Sequence, residues 1–382
     1  MMPRLHKHLW MDSDTEVFRD QLRRYIENEM VPHLDGWRKQ GYIPRETWHA
    51  FGELGFLLPE LPEEYGGSGV SLAYQMVVQD ELARCEVPSA DVGVHTIAAH
   101  YILDYGTEEQ KQRWLPKLAS GEHLAGIAMT EPGCGSDLKA IRTHARRDGN
   151  YYVIDGSKTF ITNGYTGTLL VLACRTGEAG SKGLSLIVLE TLGLDGFKVG
   201  RVLEKIGQHA SNTAELFFDN MRVPAANLIG DIEGRGFVQL MSQLAYERML
   251  LCVPAAAVME LALKLTTEYA KERKMFGQTL FNLQNTRFKL AEVATIAHIA
   301  RTFVNDCIQR LIDGNLDKEA SYMAKLWCTE QQGKVVDECL QIFGGYGYMV
   351  EYPIARLYAD ARVQRIYGGA NEVMRDLIAR SL

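Results

Sequence analysis

The sequence predicts an α+β multidomain chain: an N-terminal α-helical domain, a middle β-barrel or sandwich domain, and a C-terminal four-helix bundle. Three observations predict it. The texture from Asp14 to about His123 is helical, short β-rich runs separated by turn residues begin at Leu124, and a helical period returns from Gly236. The expected boundaries are therefore 1–123, 124–235 and 236–382.

In the first part, breaks are expected at Pro32, Gly41 to Pro44, Pro59 to Gly69 and Gly106, where glycine and proline interrupt the helical pattern. In the second, Leu124–Met129 reads as a strand and Tyr151–Ile161 as two strands around a turn at Gly156. Leu169–Cys174, Leu184–Leu189 and Ala214–Phe218 add further strands. In the third, Leu290, Val293, Ala297, Ala300, Val304, Ile308 and Leu311 recur at intervals of three and four, one apolar stripe along a long helix. Pro254 predicts a kink there, because the backbone bond to Leu250 is lost. No short-period repeat or low-complexity tract appears.

Composition narrows the function classes. A net charge of −7 argues against a nucleic-acid or anionic-membrane surface. The stretch Met1–His8 has no apolar run like a signal peptide, and the longest uncharged apolar run, Met249–Met259, is too short to span a bilayer. Seven scattered cysteines without a CxxC suit reduced thiols in a reducing compartment, so the expected location is cytoplasmic. Histidines show no HExxH, and His95 and His100 do not share a helix face, so no metal site is expected.

Several segments carry chemistry. Ile127-Ala128-Met129-Thr130-Glu131-Pro132-Gly133-Cys134-Gly135-Ser136-Asp137 runs from a strand into a loop whose glycines and hydroxyls can bring donors to phosphate or flavin oxygens. The same composition also makes a plain turn. Cys134 has neither a resolving cysteine nor an activating cation beside it in sequence. Phe160, in Phe160-Ile161-Thr162-Asn163-Gly164, reads on its own as a strand core residue. Arg273, in Arg273-Lys274-Met275-Phe276-Gly277, is either a helix-end cation or a planar fork for a diphosphate. Glu247-Arg248 could be no more than a surface charge pair.

Two C-terminal stretches, Gln341-Ile342-Phe343-Gly344-Gly345-Tyr346-Gly347-Tyr348-Met349-Val350-Glu351-Tyr352-Pro353 and Ile366-Tyr367-Gly368-Gly369-Ala370-Asn371-Glu372, join these segments in resembling the acyl-CoA dehydrogenases. That resemblance implies FAD and an acyl-CoA substrate. It implies that Ile127, Met129, Thr130, Gly135 and Ser136 border the cofactor, with Thr130 bonded to the isoalloxazine and Ser136 near both phosphates and the CoA chain. Phe160 would pack on the flavin, with Ile161 beside it and Thr162 near N5. Arg273, from a neighbouring subunit, would reach the FAD pyrophosphate with Phe276 and Gln284 nearby. Gln341, Gly344 and Gly345 would serve the adenosine half, and Ala370, Asn371 and Glu372 a further FAD-contacting turn. Many relatives carry threonine where Ala370 stands, one hydroxyl more. Sites shared between subunits imply a homo-oligomer, in this family usually a tetramer made of two dimers.

In many relatives the residue matching Gly368 is the glutamate that removes the α-proton. The long-chain and isovaleryl-type branch instead has glycine there and a glutamate followed by arginine on an earlier helix. Glu247-Arg248 with Gly368 matches that branch, as do Met323-Ala324-Lys325 and Tyr352-Pro353-Ile354-Ala355. The resemblance therefore implies Glu247 as catalytic base, with Ser136, Tyr246, Arg248, Tyr367, Gly368 and Gly369 around the substrate, and an electron-transferring flavoprotein as acceptor. A Gly368→Glu change added to Glu247→Gln is expected to restore some activity. Ala98, Ala99 and Ala255–Ala257 would permit a deep, wide pocket if they line it, for a medium- or long-chain acyl group. Competing readings are a branched or terpenoid substrate, an acyl-CoA oxidase, which is generally longer by a C-terminal domain, and a non-catalytic scaffold of the same fold.

Overall fold

The computed structural model describes residues 10–382, so the Met1–His8 stretch lies outside the described residues. Helix α1 (Ser13–Tyr25) starts at Asp12, whose carboxylate accepts from the Thr15 N–H at 2.9 Å in a capping box. The chain then passes through a π turn and a 3₁₀ turn to α2 (Leu34–Gln40). The expected break at Pro32 is thus only a change of pitch, because proline at the first turn of a 3₁₀ segment gives up no needed donor. Gly41, at φ +89°, ends α2. Next come α3 (Arg45–Glu53), α4 (Leu72–Arg84), α5 (Ser89–Tyr105) and α6 (Glu108–Ala119).

The middle region is one seven-stranded sheet of β1 (Ala125–Ala128), β2 (His144–Asp148), β3 (Tyr151–Thr162), β4 (Leu169–Arg175), β5 (Leu184–Glu190), β6 (Phe197–Val202) and β7 (Thr213–Pro224). Its order is β1-β4-β2-β3-β7-β6, with β5 on β4. Residues alternate between two cores: Leu169, Val171 and Ala173 pack with α5 and α6, whereas Leu170, Leu172 and Cys174 pack with Ile154, Leu216 and Phe218. The sheet therefore curls over its own inner core while its outer face receives the helices.

Tyr151–Ile161 is not two strands around a turn, as the sequence suggests, but the single strand β3. Gly156, at φ +148°, marks a bulge, and a Cβ there would sit 2.5 Å from Thr143 Oγ1. Strands β2 and β6 escape the sequence reading because they are mostly exposed and charged or mixed, without an apolar alternation.

The C-terminal part begins with α7 (Gly236–Glu272), followed by a short hairpin of β8 (Lys274–Met275) and β9 (Gln278–Thr279). Helices α8 (Gln284–Ile312) and α9 (Lys318–Phe343) complete a mutually packed trio, with α10 (Pro353–Ala361) and α11 (Asn371–Ser381) laid on α9. The α8 stripe is buried from Leu290 through Ile308, with Leu311 half-buried. Helix α7 is continuous through buried Pro254. It is long and apolar enough to cross a membrane, but 67% of that stretch is buried inside the fold, which makes it the core helix of the bundle. All seven cysteines are free, and six are buried, as small core residues are.

Charge is also buried where the two helical regions meet. Arg301 of α8, 2% exposed, donates to Asp80 of α4 at 2.6 Å and to Glu260 of α7 at 2.9 Å. Arg84 of α4 pairs with the same two carboxylates. Two cations thus face two anions across three helices, which fixes how α4 seats on the bundle.

Candidate active site

Glu247 and Arg248 lie in the first third of α7 and are 8% and 2% exposed, so they are not a surface pair. The Glu247 carboxylate accepts a hydrogen bond from the Tyr101 hydroxyl of α5 at 2.5 Å. Burial pushes the Glu247 pKa up from 4.5 to about 7, with Tyr101 and Arg248 pulling the other way. A carboxylate that loses water in this way becomes a stronger base near neutral pH. Arg248 turns to the opposite partners: its guanidinium lies 4.5 Å over the Tyr322 ring and 3.5 Å from Ser321 Oγ, both on α9.

The Gly368–Gly369 turn abuts the same helix. Gly368 is at φ +61° and Gly369 at +89°, backbone angles that glycine adopts without strain. A Cβ built on Gly368 would lie 2.2 Å from Leu251 Cδ1, and Leu251 is one helical turn beyond Glu247. Base and glycine turn therefore converge on one face of α7. Tyr367 is half-buried beside them, its ionisation pushed up to about 12 by burial and its side chain bonded to Gln208. Tyr246 meets the neighbouring residue of α5: its ring is tilted against His100 with centres 4.5 Å apart, and its hydroxyl is 3.4 Å from Glu60. His100 Nε2 is 2.9 Å from the same Glu60 oxygen.

A second group forms around the loop after β1. Backbone bonds in both directions, 2.9 and 3.1 Å, join Glu131 and Cys134. Below them Lys158, fully buried, donates to Met129 O at 2.8 Å and to Glu131 Oε1 at 2.9 Å. Glu131 also accepts from the Arg142 and Thr143 N–H groups. This ion pair fixes a loop in which Gly133 and Gly135 are open, with nothing within 4 Å of an added Cβ. Ser136 is exposed and Thr130 half-buried. Cys134 is buried and its thiol is pushed up, so it is held as a thiol.

Phe160 is not a strand core residue. It is 67% exposed at φ +59°, between buried Thr159 and Ile161. A large aromatic held outward in a left-handed conformation costs energy unless the site uses it. Ile127 and Ile161 point their side chains into the two sheet cores, leaving their backbone as the part that can face a ligand; Thr162 is half-buried. Open glycine backbone, two hydroxyl-bearing residues (Thr130 and Ser136) and an outward aromatic platform together fit a flavin with its phosphates.

A third group gathers at one end of the bundle. Arg273, at the end of α7, stands 5.6 Å over the Tyr346 ring, and Phe276 is 86% exposed at φ +49° in the β8–β9 turn. Gln284, Gln341, Gly344 and Gly345 are exposed nearby, where Tyr269 stacks on Phe343 at 4.1 Å. No hydrogen bond or ring contact joins this group to the Phe160 group among the described residues. Ala370 is half-buried and Glu372 exposed, while Asn371 is 1% exposed with its amide committed to Lys325, Thr329 and Glu330. The Asn371 side chain therefore belongs to the protein interior, not to a ligand surface.

Tyr101, Leu251 and Lys158 were not legible in the sequence, and Lys325 was legible only as part of Met323-Ala324-Lys325, without its role; each acts through a contact far along the chain or through one turn of helix. Three family models match successive parts of the chain: acyl-CoA dehydrogenase N-terminal domain over residues 12–122, middle domain over 126–221 and C-terminal domain over 234–382. The chain is 42% identical over 374 residues to the mitochondrial long-chain specific acyl-CoA dehydrogenase of Sus scrofa, covering 97% of this chain and 86% of that one. The crystal structure of an acyl-CoA dehydrogenase from Geobacillus kaustophilus matches with TM-score 0.95 at 44% identity, over 98% and 99% of the two chains. A glutaryl-CoA dehydrogenase from Mycobacterium smegmatis, solved in complex with FADH2, matches with TM-score 0.90 at 27% identity, over 97% and 95%.

Proposed function

The chain belongs to the acyl-CoA dehydrogenase family, and we propose that it dehydrogenates acyl-CoA thioesters to trans-2-enoyl-CoA with Glu247 as the base. The observation that carries this reading is a buried carboxylate with pKa about 7 on the α7 face that Gly368 abuts. Glu247 takes the α-proton, and the electrons of that C–H bond become the new double bond as the β-hydrogen leaves with its pair. FAD, when bound, supplies the two-electron acceptor. The backbone N–H of Gly368 donates to the thioester oxygen, where negative charge develops as the proton leaves. Arg248 holds the base's helix against α9 through Tyr322 and Ser321. Thr130, Ser136, Phe160 and Thr162 would hold one half of the cofactor. Arg273, Phe276, Gln284, Gln341, Gly344 and Gly345 of a second copy would hold the other. The absence of a hydrogen bond or ring contact between these two groups among the described residues, with exposed Phe276, Phe288 and Ile299, supports a homo-oligomer, which we assign as a tetramer of two dimers.

The substrate assigned is a medium- or long-chain acyl group, and the acceptor an electron-transferring flavoprotein. Ala98, Ala99 and Ala255–Ala257 do not argue for chain length, because all five are packed in the cores. Anaerobic titration of the flavoprotein with straight and branched acyl-CoAs tests the assignment. Bleaching by straight chains and re-oxidation by the flavoprotein acceptor are expected. Preferential bleaching by branched chains would replace the substrate, and rapid peroxide formation in air would replace the acceptor.

The pH profile should show the base directly. Glu247 works deprotonated, so kcat/KM should rise with pH through an inflection near 7. Tyr101 lowers that pKa, so Tyr101→Phe should move the acid limb to higher pH and depress turnover at pH 6 most. An unmoved inflection would separate Tyr101 from the base.

Moving the base is harder than the sequence suggests. A side chain at Gly368 meets Leu251 Cδ1 and carries the strain of φ +61°. Glu247→Gln with Gly368→Glu should stay weak because of that strain, and adding Leu251→Ala should raise its turnover only about twofold to threefold, since the methyl in the way ends a flexible side chain. Equal rates with and without Leu251→Ala would show that the two positions do not share this space.

A further inference from the structure

A turn of two glycines at positive φ has no side chains with which to hold itself, yet the proposed reaction needs the Gly368 N–H aimed at one point. The side chain that grips this turn is Lys325, from the first third of α9. It is fully buried, and its Nζ donates to the Gly369 carbonyl at 2.7 Å and to Asn371 Oδ1 at 2.8 Å. Asn371 is fixed in turn, its amide donating to Thr329 and Glu330 at 3.0 Å each. Among the described residues, no carboxylate makes a hydrogen bond or ion pair with this lysine. Glu330 and Glu372 act on it only at a distance, and burial with Arg248 nearby brings its pKa down to about 8. Burying an ammonium this way is costly, and an interior that merely had to be filled would use an apolar residue.

We propose that Lys325 is a positioning residue of the reaction: by holding the Gly369 carbonyl it fixes the Gly368 N–H as the donor to the thioester oxygen. This rests on the reading of Gly368 given above. A preorganised donor stabilises developing oxyanion charge without having to reorient during the reaction, whereas a loose glycine pair would have to pay that reorganisation each turnover. Lys325 touches neither substrate nor cofactor in this role.

Binding of two unreactive ligands to the holoenzyme separates this role from general packing. One is a 3-thiaacyl-CoA, which keeps the thioester carbonyl; the other is the matching alkyl thioether of CoA, which lacks it. Lys325→Met should weaken the carbonyl-bearing ligand about tenfold, short of the ~10²–10³ rate loss when an oxyanion donor is deleted outright. It should leave the thioether within about twofold. Thr329→Val, which loosens Asn371 but spares the Lys325–Gly369 bond, should leave the ratio of the two affinities unchanged. Equal weakening of both ligands in Lys325→Met, or loss of the ratio in Thr329→Val, overturns the proposal. Wild-type protein that does not distinguish the ligands overturns the Gly368 reading itself, and this proposal with it. Backbone ¹⁵N order parameters of the unmodified holoenzyme give a result even where Lys325→Met does not fold. Gly368 and Gly369 should be as rigid as α9, at about 0.85, and values below about 0.6 also overturn the proposal.

Discussion

Glu247→Gln should keep its FAD and lose flavin bleaching by acyl-CoA, with turnover down about 10²- to 10⁴-fold, the range assigned to a general base. The substitution preserves shape, and the amide oxygen can still accept from the Tyr101 hydroxyl now at 2.5 Å. Loss of activity would therefore report loss of proton acceptance. Stability should move in the opposite direction. The carboxyl titrates at 4.5 when unfolded and at about 7 when folded. Between these values the folded state keeps a proton that the unfolded state has released, so this group's contribution falls as pH rises from 4.5 to 7. Above that window the folded protein carries a buried anion at full cost, which glutamine removes. Glu247→Gln should thus melt higher than wild type at pH 8 and show little difference at pH 4. A variant that retains most of its turnover would remove Glu247 from the mechanism.

Arg301→Met should lower stability by about 3–5 kcal/mol, because it removes from buried Asp80 and Glu260 a cation that pairs with both. The loss should appear as an earlier denaturant midpoint with normal cofactor content in the protein that remains folded. Replacing all four members by apolar residues of similar size, Asp80→Leu, Arg84→Met, Glu260→Leu and Arg301→Met, should recover most of it. Broken buried ion networks are costlier than absent ones. If the single variant is as stable as wild type, the network does not hold α4 to the bundle.

How much could be read beforehand follows from the range over which each signal acts. The α8 stripe was legible because helical burial repeats every three to four residues, and its predicted members from Leu290 to Ile308 are buried. The reaction class was legible from motifs, since Glu247-Arg248 and the Gly368 vacancy are local patterns. Strands β2 and β6 were not, because their residues are largely solvent-facing and give no alternation. Periodicity alone makes Phe160 a core residue, because the register shift between Lys158 and Ile161 breaks the period of two on which that inference depends; only the family resemblance turns it outward. Tyr101 and Lys325 meet their partners 146 and 44 residues away, and no window of sequence contains such a pair.

The glycine turn also bears on history. A glutamate arising at 368 would push aside the far end of the Leu251 side chain, which a leucine allows by turning, but it would also take on φ +61°, which no rotamer relieves. The address of the base in this chain is thus written less in the side chain facing the turn than in the backbone of the turn itself.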